Sequence, residues 1–212
     1  MLSINPNSVL IYSQIGNIYA TMSNHRLAIV AFEKAIELSR NTTNPMLDAL
    51  YYSLGVSLYK LQDYIKALMF LSKSSEIVKD NFPFIAELHY YRAICLLNIG
   101  KPVESIPEFN KALQLKTDYE IAYAYRALAH MQLNMIDAAI SDYKHAIFYN
   151  PNPKIEDSDT FLNLGVCLYK KGELVEAKKN FERALQLNPN NEVARKNISI
   201  ISKKIGSSPW DF

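Results

Sequence analysis

Apolar and small residues recur along this chain in one arrangement, five times over. An aromatic or large residue is followed four positions later by a small one. Usually an alanine comes twelve further on, and an aromatic or leucine four after that. The sets are Tyr12, Gly16, Ala28, Phe32; Tyr51, Gly55, Ala67, Leu71; His89, Ala93, Ser105, Phe109; Tyr123, Ala127, Ala139, Tyr143; and Phe161, Gly165, Ala177, Phe181. Successive small residues lie 39, 38, 34 and 38 positions apart, and self-similarity at that period marks a stack of repeats. In the fifth set Phe161, Leu164, Gly165 and Leu168 fall at i, i+3, i+4 and i+7, one face of a helix. Gly172 interrupts it, Leu174, Ala177, Phe181 and Ala184 form the face of a second helix, and Asn188-Pro189-Asn190 ends that one. Each unit is therefore predicted to be an antiparallel helical hairpin, whose bare apolar faces only stacking can bury.

The pattern resembles the tetratricopeptide repeat, in which tryptophan, leucine-glycine, tyrosine, alanine, phenylalanine and proline recur in that order. The resemblance runs from Val9 to Asn191. It is strongest in the fifth unit, with Leu164-Gly165, Ala177, Phe181 and Pro189, and weakest in the third, which carries His89, Ser105, Pro102 and Pro107. It implies an all-α fold, a right-handed α-solenoid of five tetratricopeptide-type helical hairpins plus a C-terminal cap helix. The repeats are expected at 9–42, 48–81, 86–119, 120–153 and 158–191, after a repeat-like lead-in over 1–8. The cap helix is expected over 192–205 and a tail over 206–212, with Ala194, Ile198, Ile201 and Ile205 on the cap's buried stripe. Pro107 removes a bond to the Val103 carbonyl and is expected to bend its helix. The extra residues Thr43–Leu47, Phe82–Ile85 and Lys154–Asp157 are expected to lengthen helices by about one turn. No cap precedes the lead-in Ile4-Asn5-Pro6, so Ile11, Tyr12 and Ile15 are expected to be exposed or covered by another chain, which leaves self-association open. Trp210 in the tail reads equally as a docking motif or as a cover for the cap.

Composition narrows the class without adding chemistry. The 212 residues are 49% apolar and 21% charged with a net charge of +2, which predicts neither a nucleic-acid nor a membrane partner. No apolar run approaches the ~20 residues of a membrane helix, and Met1 to Asn7 lacks the regions of a signal peptide. The expected location is cytoplasmic. Cys95 and Cys167 share one register two repeats apart, roughly 20 Å at ordinary helix spacing, and are read as core thiols.

No catalytic, metal or cofactor signature emerges. His25, His89, His130 and His145 are scattered over three repeats, with no HExxH and no phosphate-binding glycine loop. Arg92 and Arg126 occupy an apolar signature position, and sixteen residues on from each stands an acid, Glu108 and Asp142. A charge pair inside each hairpin is the preferred reading over an anion site.

A step of one residue turns a helix by about 100°, so the residue after each signature position looks away from the hairpin partner. The resemblance implies that this face lines a concave groove. Asn17, Tyr52, Tyr59, Tyr90, Leu97, Met131 and Tyr169 are the candidate partner-binding residues on it. Val56, Ile94, Leu128 and Val166 are expected to pack against the neighbouring first helix instead. Of the positions with which some members of the family grip a carboxylate terminus, which map to Ser13, Asn17, Ser53, Glu87 and Tyr91, only Asn17 matches. The expectation is a non-enzymatic adaptor that binds a protein or peptide ligand. The alternative is a targeting or regulatory repeat region of a larger enzyme system of the glycosyltransferase or phosphatase type.

Overall fold

The computed structural model describes residues 8–40, 46–78 and 82–206. The lead-in over 1–7, residues 43–45 of the first extra segment, and the tail with Trp210 lie outside the described residues. Eleven α-helices occur among the described residues, and they alternate as first and second members of hairpins. These are α1 (Val9–Thr21) with α2 (His25–Ser39), α3 (Leu47–Lys60) with α4 (Tyr64–Ile77), and α5 (Ile85–Asn98) with α6 (Pro102–Leu115). They continue as α7 (Glu120–Gln132) with α8 (Ile136–Tyr149) and α9 (Ser158–Lys171) with α10 (Leu174–Leu187), followed by α11 (Glu192–Gly206). The helices form two compact units, Met1–Leu115 and Lys116–Phe212. Within the first, each helix packs on the next, and the first helices α1, α3 and α5 touch in turn. Within the second, α7 to α11 pack in the same succession and α7 touches α9.

Every hairpin turns on one residue in the left-handed region: Ser23 (φ 58°), Gln62 (63°), Gly100 (79°), Asn134 (57°) and Gly172 (87°). Each lies seven positions after the small residue of its repeat. A left-handed residue stops the helical spiral, and glycine adopts it without a Cβ clash. In the first two hairpins the next residue caps the second helix, because the side chains of Asn24 and Asp63 accept from the backbone N–H groups of Leu27 and Lys66.

The small signature residues set how closely the helices pair. A Cβ at Gly16 would lie 2.5 Å from Phe32 Cε1, one at Gly55 2.6 Å from Leu71 Cγ, and one at Gly165 2.7 Å from Phe181 Cε1. Phe32, Leu71, Phe109, Tyr143 and Phe181 are all fully buried. The prolines of the third repeat leave α6 continuous. Pro102 takes the first helical position, where the missing N–H has no partner to lose.

The extra residues at 82–84 and 154–157 do not extend helices as expected. Pro83 disfavours helical backbone at Phe82, so α5 begins only at Ile85 and Phe82 turns into the core. Lys154 is extended, its N–H donates to Asp157 Oδ2 at 2.6 Å, and Ile155–Asp157 forms a separate 3-10 turn ahead of α9. Met46 flanks the start of α3 at Leu47. On the cap helix Ala194 and Ile201 are buried, but the stripe stops there: Ile205 is exposed, with Val193 and Ile200. Ile11, Tyr12 and Ile15 are partly exposed, and Leu10 and Ile18 more so.

Two substitutions read these constraints. Gly165→Val should destabilise the protein by about 1–3 kcal/mol in urea unfolding, because the buried Phe181 ring fills the space the new side chain needs. Gln62→Gly should leave stability unchanged or raise it by up to about 1 kcal/mol, since it removes a left-handed non-glycine residue. A large loss at position 62 would refute the strain argument.

Candidate functional site

Two buried acid-base clusters occupy the positions where the sequence places arginines among apolar residues. In α5 and α6, Arg92 Nη1 lies 3.0 Å from Glu108 Oε2, and His89 Nδ1 lies 2.7 Å from the same oxygen. Arg92 also donates to Ser75 Oγ of α4 at 3.0 Å. In α7 and α8, Arg126 grips Asp142 with two bonds, Nε to Oδ2 at 2.8 Å and Nη2 to Oδ1 at 2.6 Å. His130 Nδ1 stands 3.1 Å from Asp142 Oδ2 without hydrogen-bond geometry. Burial pushes the Glu108 carboxyl up, but the His89 hydrogen bond and the charges of Arg92, His89 and Lys111 outweigh it and hold it below its ordinary 4.5. Burial lowers the His130 imidazole, helped by Arg126 and opposed by Asp142. Both arginines thus meet carboxylates within their own hairpins. His89 and His130 touch those same carboxylates, and spacing alone gave no signal of it.

The candidate binding residues fall into three groups. In the first unit Tyr52 and Tyr59 of α3 are half-buried and share a ring cluster with α5 and its lead-in. Tyr52 stacks on Phe84 with centroids 5.5 Å apart and planes at 3°, and meets Phe82 edge-on at 5.6 Å. Tyr91 joins Tyr52 at 6.3 Å and Tyr59 at 5.2 Å, while Tyr59 tilts onto Tyr64 at 5.9 Å. Phe84 is 49% exposed, and Asn17 of α1 is exposed. Sequence reasoning missed Phe82, Phe84 and Tyr91. The Phe-Pro-Phe run at 82–84, unfit for a helix interior, was the available signal.

Tyr90 and Leu97 differ from that group, each being 6% exposed. Helix α5 packs against α3, α4 and α6, and Tyr90 lies 6.4 Å from the Phe109 ring of α6. These two side chains therefore offer almost no contact surface. In the second unit Met131 and Tyr169 are partly buried against the core. The Lys204 ammonium of the cap helix sits 4.7 Å from the Tyr169 ring centre and donates to its hydroxyl at 2.5 Å.

Cys95 and Cys167 are buried free thiols. Burial raises both, Cys95 to about 12, so neither is a ready nucleophile. Among the described residues no group of three or more His, Cys, Asp and Glu side chains is placed to hold a metal ion. No described helix is long and apolar enough to cross a membrane.

Tetratricopeptide repeat models match residues 7–80, 121–153 and 158–191, together about two thirds of the chain. The chain is 27% identical to the small glutamine-rich tetratricopeptide repeat-containing protein 2 of Mycosarcoma maydis, over 55% of this chain and 31% of that protein. It is 25% identical to the human protein O-mannosyl-transferase TMTC1, over 89% of this chain and 24% of that protein. It thus spans about a quarter to a third of the length of these relatives. Among solved structures, that of YrrB, described as a TPR protein with an unusual peptide-binding site, superposes with a TM-score of 0.72 at 20% identity, covering 94% of each chain.

The acid-base clusters make two testable demands. Asp142→Ala strands Arg126 in a buried setting and should cost about 3–5 kcal/mol of stability, while Arg126→Met combined with Asp142→Leu should recover most of it. A Glu108 carboxyl held below 4.5 in the fold contributes stability above that value and loses it as pH falls through the folded one. The deficit of Glu108→Gln against the parent at pH 7 should therefore shrink as pH drops below 4.5; a pH-independent deficit in urea unfolding would count against the charged pair.

Proposed function

Because the chain belongs to the tetratricopeptide repeat family, we propose that it is a non-enzymatic interaction module that holds a peptide or helix of a partner protein against the face of its first helices. The ring cluster of the first unit carries this reading. Tyr52, Tyr59, Phe84 and Tyr91 gather aromatic area across α3 and α5, and the stacking of Tyr52 on Phe84 leaves a half-exposed ring at the cluster's edge. Aromatic residues of this kind are enriched at the cores of protein interfaces. The rings are already packed against each other, so little side-chain freedom is lost on binding. Exposed Asn17 adds a polar contact on α1, and Lys60, whose ammonium lies 5.8 Å from the Tyr59 ring centre, adds a charge at the edge. Met131 and Tyr169 belong to the corresponding face of the second unit. Tyr90 and Leu97 serve as support behind the face.

A role as the repeat region of a larger enzyme is the alternative. It is the one suggested by the transferase relative, in which the matching segment makes up about a quarter of the protein.

The test uses Phe84→Glu and Tyr59→Glu, each first checked for unchanged helicity and melting temperature. Proteins retained by the parent chain from its native cells are identified, and the purified partner is titrated against all three chains. A charge placed in a desolvated aromatic contact should weaken binding by about tenfold or more. Equal affinity in both folded variants would move the partner to another surface.

A further inference from the structure

Helix α1 is too apolar for the solvent it meets. It has no charged residue in its 13 positions, yet only Ser13 and Gly16 are buried. The last described helix, α11, instead presents Glu192, Arg195, Lys196, Lys203 and Lys204, as a helix with one face in water should. On α1, Ile11, Ile15, Ile18 and Met22 follow at intervals of four, three and four, the spacing of a two-helix seam. Ile18 is 57% and Met22 70% exposed, while Ile11 and Ile15 are partly so. Beside the seam runs a groove of about 1230 Å³, lined by Ile15 and Tyr19 of α1 and by exposed Leu27 and Val30 of α2, which continues to α3 and α4.

The other repeats cover this same face with helix. Ile11 and Ile15 correspond to Leu50 and Leu54, which are fully buried where α3 packs on the preceding hairpin. Ile18 corresponds to Ser57, Cys95, Ala129 and Cys167, all small and all buried. Ile18 is thus the one large residue at its register, and its side chain holds off the close approach that the small ones permit. A repeat-type hairpin would be overpacked there, whereas interlocking side chains between two helices take isoleucine at such positions. The residues flanking the seam, Tyr12, Gln14, Tyr19 and Thr21, are uncharged. Charges at flanking positions select a foreign partner or exclude a copy, and here nothing repels one. A two-fold contact also sets the stripe against itself, so each apolar residue meets another.

We infer that the chain pairs with a second copy of itself through α1, with Ile11, Ile15, Ile18 and Met22 of the two copies interlocked across a two-fold axis and Leu27 and Val30 closing one flank. The seam shares no residue with the ring cluster of Tyr52, Tyr59, Phe84 and Tyr91, so the inference stands apart from the proposed function. A pair carries two such clusters, which raises avidity for a partner with two matching segments.

Sedimentation equilibrium of the full chain should show monomer and dimer interconverting between about 1 and 100 μM, and the melting temperature should rise with protein concentration. Ile18→Glu and Met22→Glu each place a charge in the seam at a position exposed in the single chain. Each should keep its helicity while weakening the pairing by about tenfold or more. Ile200→Glu, at an exposed apolar position of α11, should pair as the parent does. An equimolar mixture of Ile18→Glu and Ile18→Lys chains should pair more tightly than either alone, because an axis near the middle of the seam brings the opposite charges together. No gain on mixing overturns the two-fold contact. A parent chain that stays monomeric over the whole range overturns the inference, and so do seam variants that pair like the parent; either result leaves the proposed function standing.

Discussion

The closeness of two antiparallel backbones at one small residue is the constraint on which each hairpin depends. At Gly16, Gly55 and Gly165 the facing Phe32, Leu71 or Phe181 occupies the space where a Cβ would go. That contact fixes the height of one helix against the other, and it brings the second helix's apolar face to bear on the following hairpin. The hairpins with alanine at this position, Ala93 and Ala127, are the two that add a buried arginine–carboxylate contact. A buried pair of this kind contributes little net stability once desolvation is counted, but a misaligned helix would leave a charge stranded. Register in the middle of the chain is thus held by charge as well as by volume.

Much of the hairpin architecture was legible because it depends on periodicity. Apolar residues at helical spacing give the faces, and the shared interval of sixteen between Arg92 and Glu108 and between Arg126 and Asp142 gives the cross-hairpin contacts. The turns were less legible. Gly172 announces itself, but Ser23, Gln62 and Asn134 take the same left-handed conformation without a glycine to signal it, so the common register appears only once the backbone is known. The extra residues at 82–85 failed as a helical turn because Pro83 acts on the residue before it, an influence that outweighs apolar periodicity.

The candidate site shows a different limit. Rotation by one residue separates two sides of a first helix on paper, but it cannot count the neighbours waiting on either. Tyr52 and Tyr90 hold equivalent positions, yet one joins a partly exposed cluster and the other is buried. His89 and His130 show the same limit inside the core. Their side chains reach carboxylates nineteen and twelve positions away, at no interval common to the two repeats.

Packing in succession has a kinetic corollary. Within each unit a helix meets chiefly those next to it in sequence, so few contacts require closing a long loop before they form. Such low contact order favours fast folding from several starting points. It also divides cooperativity along the chain, because a hairpin at the edge of a unit can open without dismantling every other contact. Protection against amide exchange should therefore vary from hairpin to hairpin, giving each unit a graded resistance to opening rather than one uniform barrier.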